Sequence, residues 1–124
     1  MHLIVGIDDT PTCRAVYSAI VNKLEKEGLA VTYKSYDGPG TAMAVLKGPL
    51  PSAIICDYHM LGLDGGTLVD ILRRQEPRPL YIIASTDHRA EQYANTIGVP
   101  FVHKNQVTKT LPGLLQALLT QKEE

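Results

Sequence analysis

What most constrains this chain is an alternation: short apolar runs that end on a polar residue, separated by segments with helical spacing. Residues 3–7, 52–56 and 80–84 are nearly unbroken apolar runs, the mark of strands buried on both faces. Residues 30–36 are more polar and read as a strand at a sheet edge, and 101–103 as a short fifth strand. Thr10-Pro11 predicts a helix start with the threonine as N-cap. Cys13, Val16, Ile20 and Leu24 form its apolar face, and Gly28 closes it. Further helices are expected over about 41–47, over 66–74, and around Ala90, Tyr93, Ala94 and Ile97 up to Gly98. The clearest amphipathic stripe is Leu111, Leu114, Leu115, Leu118 and Leu119, with Thr110 as the expected cap and Pro112 in the first turn. Strands alternating with helices imply an α/β fold whose parallel sheet is covered on both faces.

In such sheets, ligands and reacting groups gather where strand carboxyl ends meet a topological switch point. Asp8-Asp9, Asp57, Ser85-Thr86 and Lys104 each follow a different expected strand. A polar residue at one strand end is ordinary loop chemistry; four converging ends are not. Asp57 is the sharpest case, because it follows the buried run Ile54-Ile55-Cys56 in "IICDYHMLGLDGG". A carboxylate at the edge of a core costs several kcal/mol unless something compensates it. Three carboxylates within about 5 Å repel by roughly 3 kcal/mol per pair at an effective dielectric near 20. Either one of them takes up a proton or a cation neutralises the site; an all-oxygen set with room for water suits a hard cation, Mg2+ first. With Lys104 and a hydroxyl from Ser85 or Thr86, the site would offer positive contacts for a phosphoryl group, and Asp57 a nucleophile.

Composition excludes other classes. The chain has 124 residues, 44% hydrophobic and 20% charged, with a formal net charge of −1. That balance gives no electrostatic reason for nucleic acid or an anionic membrane as partner. Two cysteines, Cys13 and Cys56, read as reduced thiols and point to a cytoplasmic protein. The first apolar run is too short for a signal peptide or a membrane span. One domain over 1–124 is expected, with a frayed tail at about 121–124 and no output domain. The histidines His2, His59, His88 and His103 lack metal-ligand spacing.

Four segments, in order, resemble the receiver domain of two-component response regulators, in the chemotaxis-type single-domain layout. "IVGIDDTP" resembles its acidic first-strand end, "IICDYHMLGLDGG" its phosphoacceptor loop, "YIIAST" its switch strand and "FVHK" its last strand. The similarity runs from residue 2 to about 120. It implies a flavodoxin-like (βα)5 sandwich, with a five-stranded parallel sheet in order 2-1-3-4-5. It implies phosphoryl transfer from a histidine kinase or histidine phosphotransfer protein to Asp57, and a surface that then signals to a downstream protein or linked domain. Asp9, Asp57 and the His59 backbone carbonyl would bind Mg2+ directly, with Asp8 acting mainly through water. Lys104 would pair with the phosphoryl group. Ser85 would be the switch hydroxyl, Phe101 the aromatic that follows it, and Thr86 and His59 would tune the phosphoryl lifetime. Gly65 matches the glycine that opens the third helix.

Three departures from the family's pattern stand out. Leu61 replaces a usual proline, Asn105 stands where proline often follows the lysine, and the stretch from Gly98 to Phe101 is one residue short. With no proline at 105, a trans bond is expected, since cis would cost about 2.5–4 kcal/mol. Two other functional classes compete. One is a pseudo-receiver used only as an interaction module, although the charged groups such a module tends to lose are all here. The other is a Mg2+-dependent aspartyl-phosphate phosphatase, which would want D-x-D after the first strand where this chain has adjacent aspartates.

Overall fold

The computed structural model describes residues 2–38, 51–60, 63–64 and 80–123. Strands form where the apolar runs lie: β1 (His2–Ile7), β2 (Val31–Tyr36), β3 (Ala53–Asp57), β4 (Leu80–Ser85) and β5 (Phe101–His103). They make one parallel sheet in the order β2-β1-β3-β4-β5. This is the flavodoxin-like order, and the polar strand β2 takes the edge. Three helices are described: α1 (Pro11–Lys26), α2 (His88–Ile97) and α3 (Val107–Glu123). The helices expected over 41–47 and 66–74 lie outside the described residues, as do Leu61 and Gly65. Beyond β3, His59–Met60 pairs antiparallel with Leu63–Asp64.

Strand alternation divides the core into two layers. Ile4, Ala53, Ile55, Ile82, Ala84 and Val102 face α1 and α3, meeting Tyr17, Ile20, Leu24, Leu111, Leu115 and Leu119. Val5, Ile7, Ile54, Cys56, Tyr81 and Ile83 face the other way, against Ala90 and Ala94 of α2. Each fully buried isoleucine contributes about 1.5–3 kcal/mol of hydrophobic stabilisation. Gly6 interrupts the first layer for a steric reason. A Cβ there would collide with the Tyr33 hydroxyl and stand 3.2 Å from a ring carbon of Tyr17. The missing side chain lets two tyrosines close over β1 next to its carboxyl end.

Helix boundaries follow local chemistry. Thr10 is the N-cap of α1 by position, but its hydroxyl makes no capping bond. Instead it donates to Asp9 Oδ1 at 3.3 Å. Asp87 caps α2 by accepting the Arg89 N–H at 2.8 Å. Gly98 ends α2 in the left-handed region, with φ 74°. The N–H of Val99 then bonds back to the Ala94 carbonyl at 2.9 Å. This tight exit absorbs the short connection to β5, because Pro100 already offers its carbonyl to Ile83 at 3.0 Å.

The start of the last helix differs from expectation. α3 begins at Val107, directly after a 3₁₀ turn over Lys104–Gln106, so Thr110 lies inside the helix. Its hydroxyl donates to the Gln106 carbonyl at 3.0 Å instead of capping. Pro112 is likewise interior, where it has no N–H to offer the preceding turn. The turn starts early because His103 Nδ1 accepts the Asn105 N–H at 3.2 Å. Histidine is not among the usual caps, so the signal passes unread in the sequence. No described helix is long and apolar enough to cross a membrane.

Candidate functional site

β1 leads out to β2 on one side, and the chain returns to β3 on the other. The carboxyl ends of β1 and β3 therefore flank the crevice where connections diverge. Asp57 is the last residue of β3 and is 4% exposed. Asp8, one residue past β1, is fully buried, and Asp9 is half-buried. One carboxylate oxygen from each of the three lies within 4.8 Å of the others. At that separation each pair repels by about 3 kcal/mol.

Lys104 reaches into this cluster from the turn after β5. Its Nζ stands 3.0 Å from Asp8 Oδ2 and 3.1 Å from Asp57 Oδ1. Burial pushes the ammonium pKa down, but the hydrogen bonds and charges of Asp8 and Asp57 outweigh it and hold the value above ordinary lysine. Three carboxylates against one ammonium leave a formal charge of −2. That remainder and the all-oxygen donor set fit a divalent hard cation.

Asp8 is held from every side. Its N–H donates to the Tyr36 carbonyl at 3.1 Å, and its own carbonyl accepts from the Arg14 guanidinium at 2.7 Å. Oδ1 accepts the Thr10 N–H at 2.9 Å, and Oδ2 accepts the Tyr17 hydroxyl at 3.0 Å. Burial, then the Asp8 charge, drive the Tyr17 phenol upward, so it stays a donor. Burial and Asp8 also raise the Cys13 thiol.

Ser85 ends β4, is 2% exposed, and accepts the Asp87 N–H on Oγ at 3.0 Å. A serine hydroxyl has one proton to give, and in its bond with Asp87 Oγ is the acceptor. Thr86 is exposed. Phe101 lies beside Ile83 and packs against the second core layer with Tyr58, Tyr93 and Ile97. His59 follows Asp57 by two residues and begins the antiparallel pairing. The sequence-predicted residues Asp8, Asp9, Asp57 and Lys104 thus come together, while Ser85 ends the neighbouring strand.

Two contacts escape the sequence reading. Tyr17, four residues past Cys13 and three before Ile20, falls on the apolar face of α1, and a buried tyrosine demands a polar partner; that demand is the signal that could have found it. Tyr58 meets Tyr93 of α2 with ring centroids 5.6 Å apart and planes at 53°, and no local spacing relates residues so far apart in the chain.

The family model for the response regulator receiver domain matches residues 4–110. The chain belongs to this family. Receiver domains are phosphorylation-switch signalling domains of two-component systems, which interact with histidine kinases and effector domains and typically bind Mg2+ at an acidic pocket. Solved structures share the receiver fold. The Vibrio cholerae chemotaxis protein CheY4 matches at TM-score 0.78 and 20% identity, over 95% of this chain and 98% of its own. TrrA from Thermotoga maritima, solved with Mg2+-BeF, matches at 0.78 and 18%, over 95% and 99%. The receiver domain of a signal transduction histidine kinase from Syntrophus aciditrophicus matches at 0.80 and 23%, over 98% and 92%. No curated protein matches this receiver domain.

Proposed function

We propose that this receiver domain accepts a phosphoryl group on Asp57 from a histidine of a kinase or phosphotransfer protein. The observation that carries the reading is Lys104 Nζ bridging Asp57 and Asp8 within a cluster of three carboxylates. A carboxylate oxygen of Asp57 attacks phosphorus as the P–N bond breaks, and the bonding pair leaves with the imidazole nitrogen. Being already ionised, the carboxylate releases no proton in the step. Lys104 follows the new charge and donates to a phosphoryl oxygen. Asp9, Asp57 and the His59 carbonyl would hold Mg2+, with Asp8 behind them through water. The ion supplies charge neutralisation for the incoming phosphoryl oxygens.

Signalling then runs through Ser85. The phosphoryl group gives its hydroxyl a charged acceptor, a bond worth about 1.5–3 kcal/mol. That draws the β4–α2 turn inward and opens space for Phe101 beside it. The gain corresponds to roughly a ten- to hundredfold population shift. Thr86, exposed just past Ser85, and His59, two residues past Asp57, would tune the lifetime of the acyl phosphate. A cytoplasmic location follows from such a donor. The surface of α2, β5 and α3 would meet a downstream protein or a linked domain.

The direct test is incubation with acetyl phosphate with and without Mg2+, read by intact mass. One phosphoryl group per chain is expected, dependent on Mg2+, stable in acid and labile in alkali. Unlabelled protein would favour the interaction-module reading. In Asp9→Ala, Mg2+ affinity by calorimetry is expected to fall by at least about tenfold, because a direct oxygen ligand is gone. Relief of repulsion should raise stability without metal. Equal affinity in the two proteins would contradict this ligand assignment.

A second measurement follows the switch. With beryllofluoride, amide shifts are expected around Tyr93, Phe101 and Lys104 as well as at Asp57, and Ser85→Ala should confine them to the Asp57 loop. Identical patterns in both proteins would rule out the Ser85 route.

A further inference from the structure

We propose that Tyr17 is a positioning residue that restrains Asp8 and thereby lowers the affinity of the acidic cluster for a divalent cation; this rests on the metal reading above. A carboxylate has about four lone-pair sites. Asp8 Oδ2 receives both the Tyr17 hydroxyl and Lys104 Nζ, and Oδ1 receives the Thr10 N–H. Three sites are thus filled from inside the protein, and among the described residues no donor takes the fourth, on Oδ1, where a cation or its water would bind. Tyr17 has little freedom to move away. It is 1% exposed, and its ring packs over Gly6.

Tyr33 makes an internal control. It too approaches Gly6, but its hydroxyl reaches the Arg14 carbonyl at 3.5 Å and not Asp8.

Hydrogen-bond donors and a cation draw on the same negative charge, so they act against each other. The Tyr17 hydroxyl stabilises Asp8 most when no metal is near. Removing it raises the free energy of the metal-free cluster more than that of the loaded one. Affinity for the cation then increases. The device lets the site hold three carboxylates together while keeping its ion exchangeable.

The experiment is Mg2+ calorimetry on wild type, Tyr17→Phe, Tyr33→Phe, Asp8→Asn and the Tyr17→Phe/Asp8→Asn double variant. Tyr17→Phe is expected to bind Mg2+ about three- to tenfold tighter. Tyr33→Phe should stay within about twofold of wild type. In the Asp8→Asn background the Tyr17→Phe gain should vanish, which a purely structural effect of the lost hydroxyl would not do. Unchanged or weaker binding in Tyr17→Phe overturns the proposal, as does an equal gain without Asp8. In the wild type itself, the Tyr17 Cζ resonance should move on Mg2+ addition; a fixed signal overturns the proposal even where the variant fails to fold. No Mg2+ binding by the wild type would remove the metal reading and this inference together.

Discussion

Asp57→Asn is expected to take up no phosphate from acetyl phosphate, with or without Mg2+, under conditions that label the wild type fully. The amide keeps the size and polarity of the side chain at the end of β3, yet its oxygen is a poor nucleophile. Loss of fold is not the explanation to expect. Asp57 is 4% exposed and lies within 4.8 Å of two other carboxylates. Among the described charges of the cluster, its neutralisation removes two repulsive pairs and the attraction to Lys104. Lys104 keeps Asp8 at 3.0 Å. Stability without metal should therefore hold steady or rise by about 1 kcal/mol. Mass spectrometry and urea denaturation on the same preparation separate the outcomes. Persistent labelling of a folded variant would move the acceptor away from Asp57.

The sheet and the four converging ends were legible because one property marks both: each central strand is an unbroken apolar run, and the next residue is polar. Ile54-Ile55-Cys56 before Asp57, and Tyr81 to Ala84 before Ser85, carry fold and site in the same few residues. Interactions set by packing left no such mark. The apolar face of α1 is readable from its aliphatic residues, but that Tyr17 would meet Asp8 depends on Gly6 leaving space for two rings. The hold of Lys104 on Asp8 as well as Asp57 needs the depth of β5 relative to β1, which no spacing records. Thr110 looked like a cap because threonine commonly is one. The chain had already turned at His103, through a ring nitrogen whose role is visible only in the folded state.

Lys104→Met should show how much the cluster depends on its lysine. Methionine keeps most of the apolar stem and removes the charge, so two buried carboxylates lose their ion pair. Breaking such a pair costs about 3–5 kcal/mol when fully buried. The lysine side chain retains 17% exposure, so a loss of about 3 kcal/mol at pH 8 is expected. Mg2+ should recover more stability in the variant than in wild type, because the ion replaces a missing positive charge. Alkali provides the sign check. The Lys104 pKa is raised above the ordinary 10.5 by Asp8 and Asp57 in spite of burial. Its contribution is therefore whole below about pH 10.5 and is lost as pH rises through the higher folded value. Tyr17 and Tyr33 act in the same direction. Burial raises both phenols, Tyr33 to about 12, and both proteins keep those groups. The stability gap between wild type and Lys104→Met should accordingly be full at pH 8 and narrow once the pH passes about 10.5. Urea melts at both pH values measure it directly. Equal stability of the two proteins at pH 8 would mean that the lysine does not hold the cluster together.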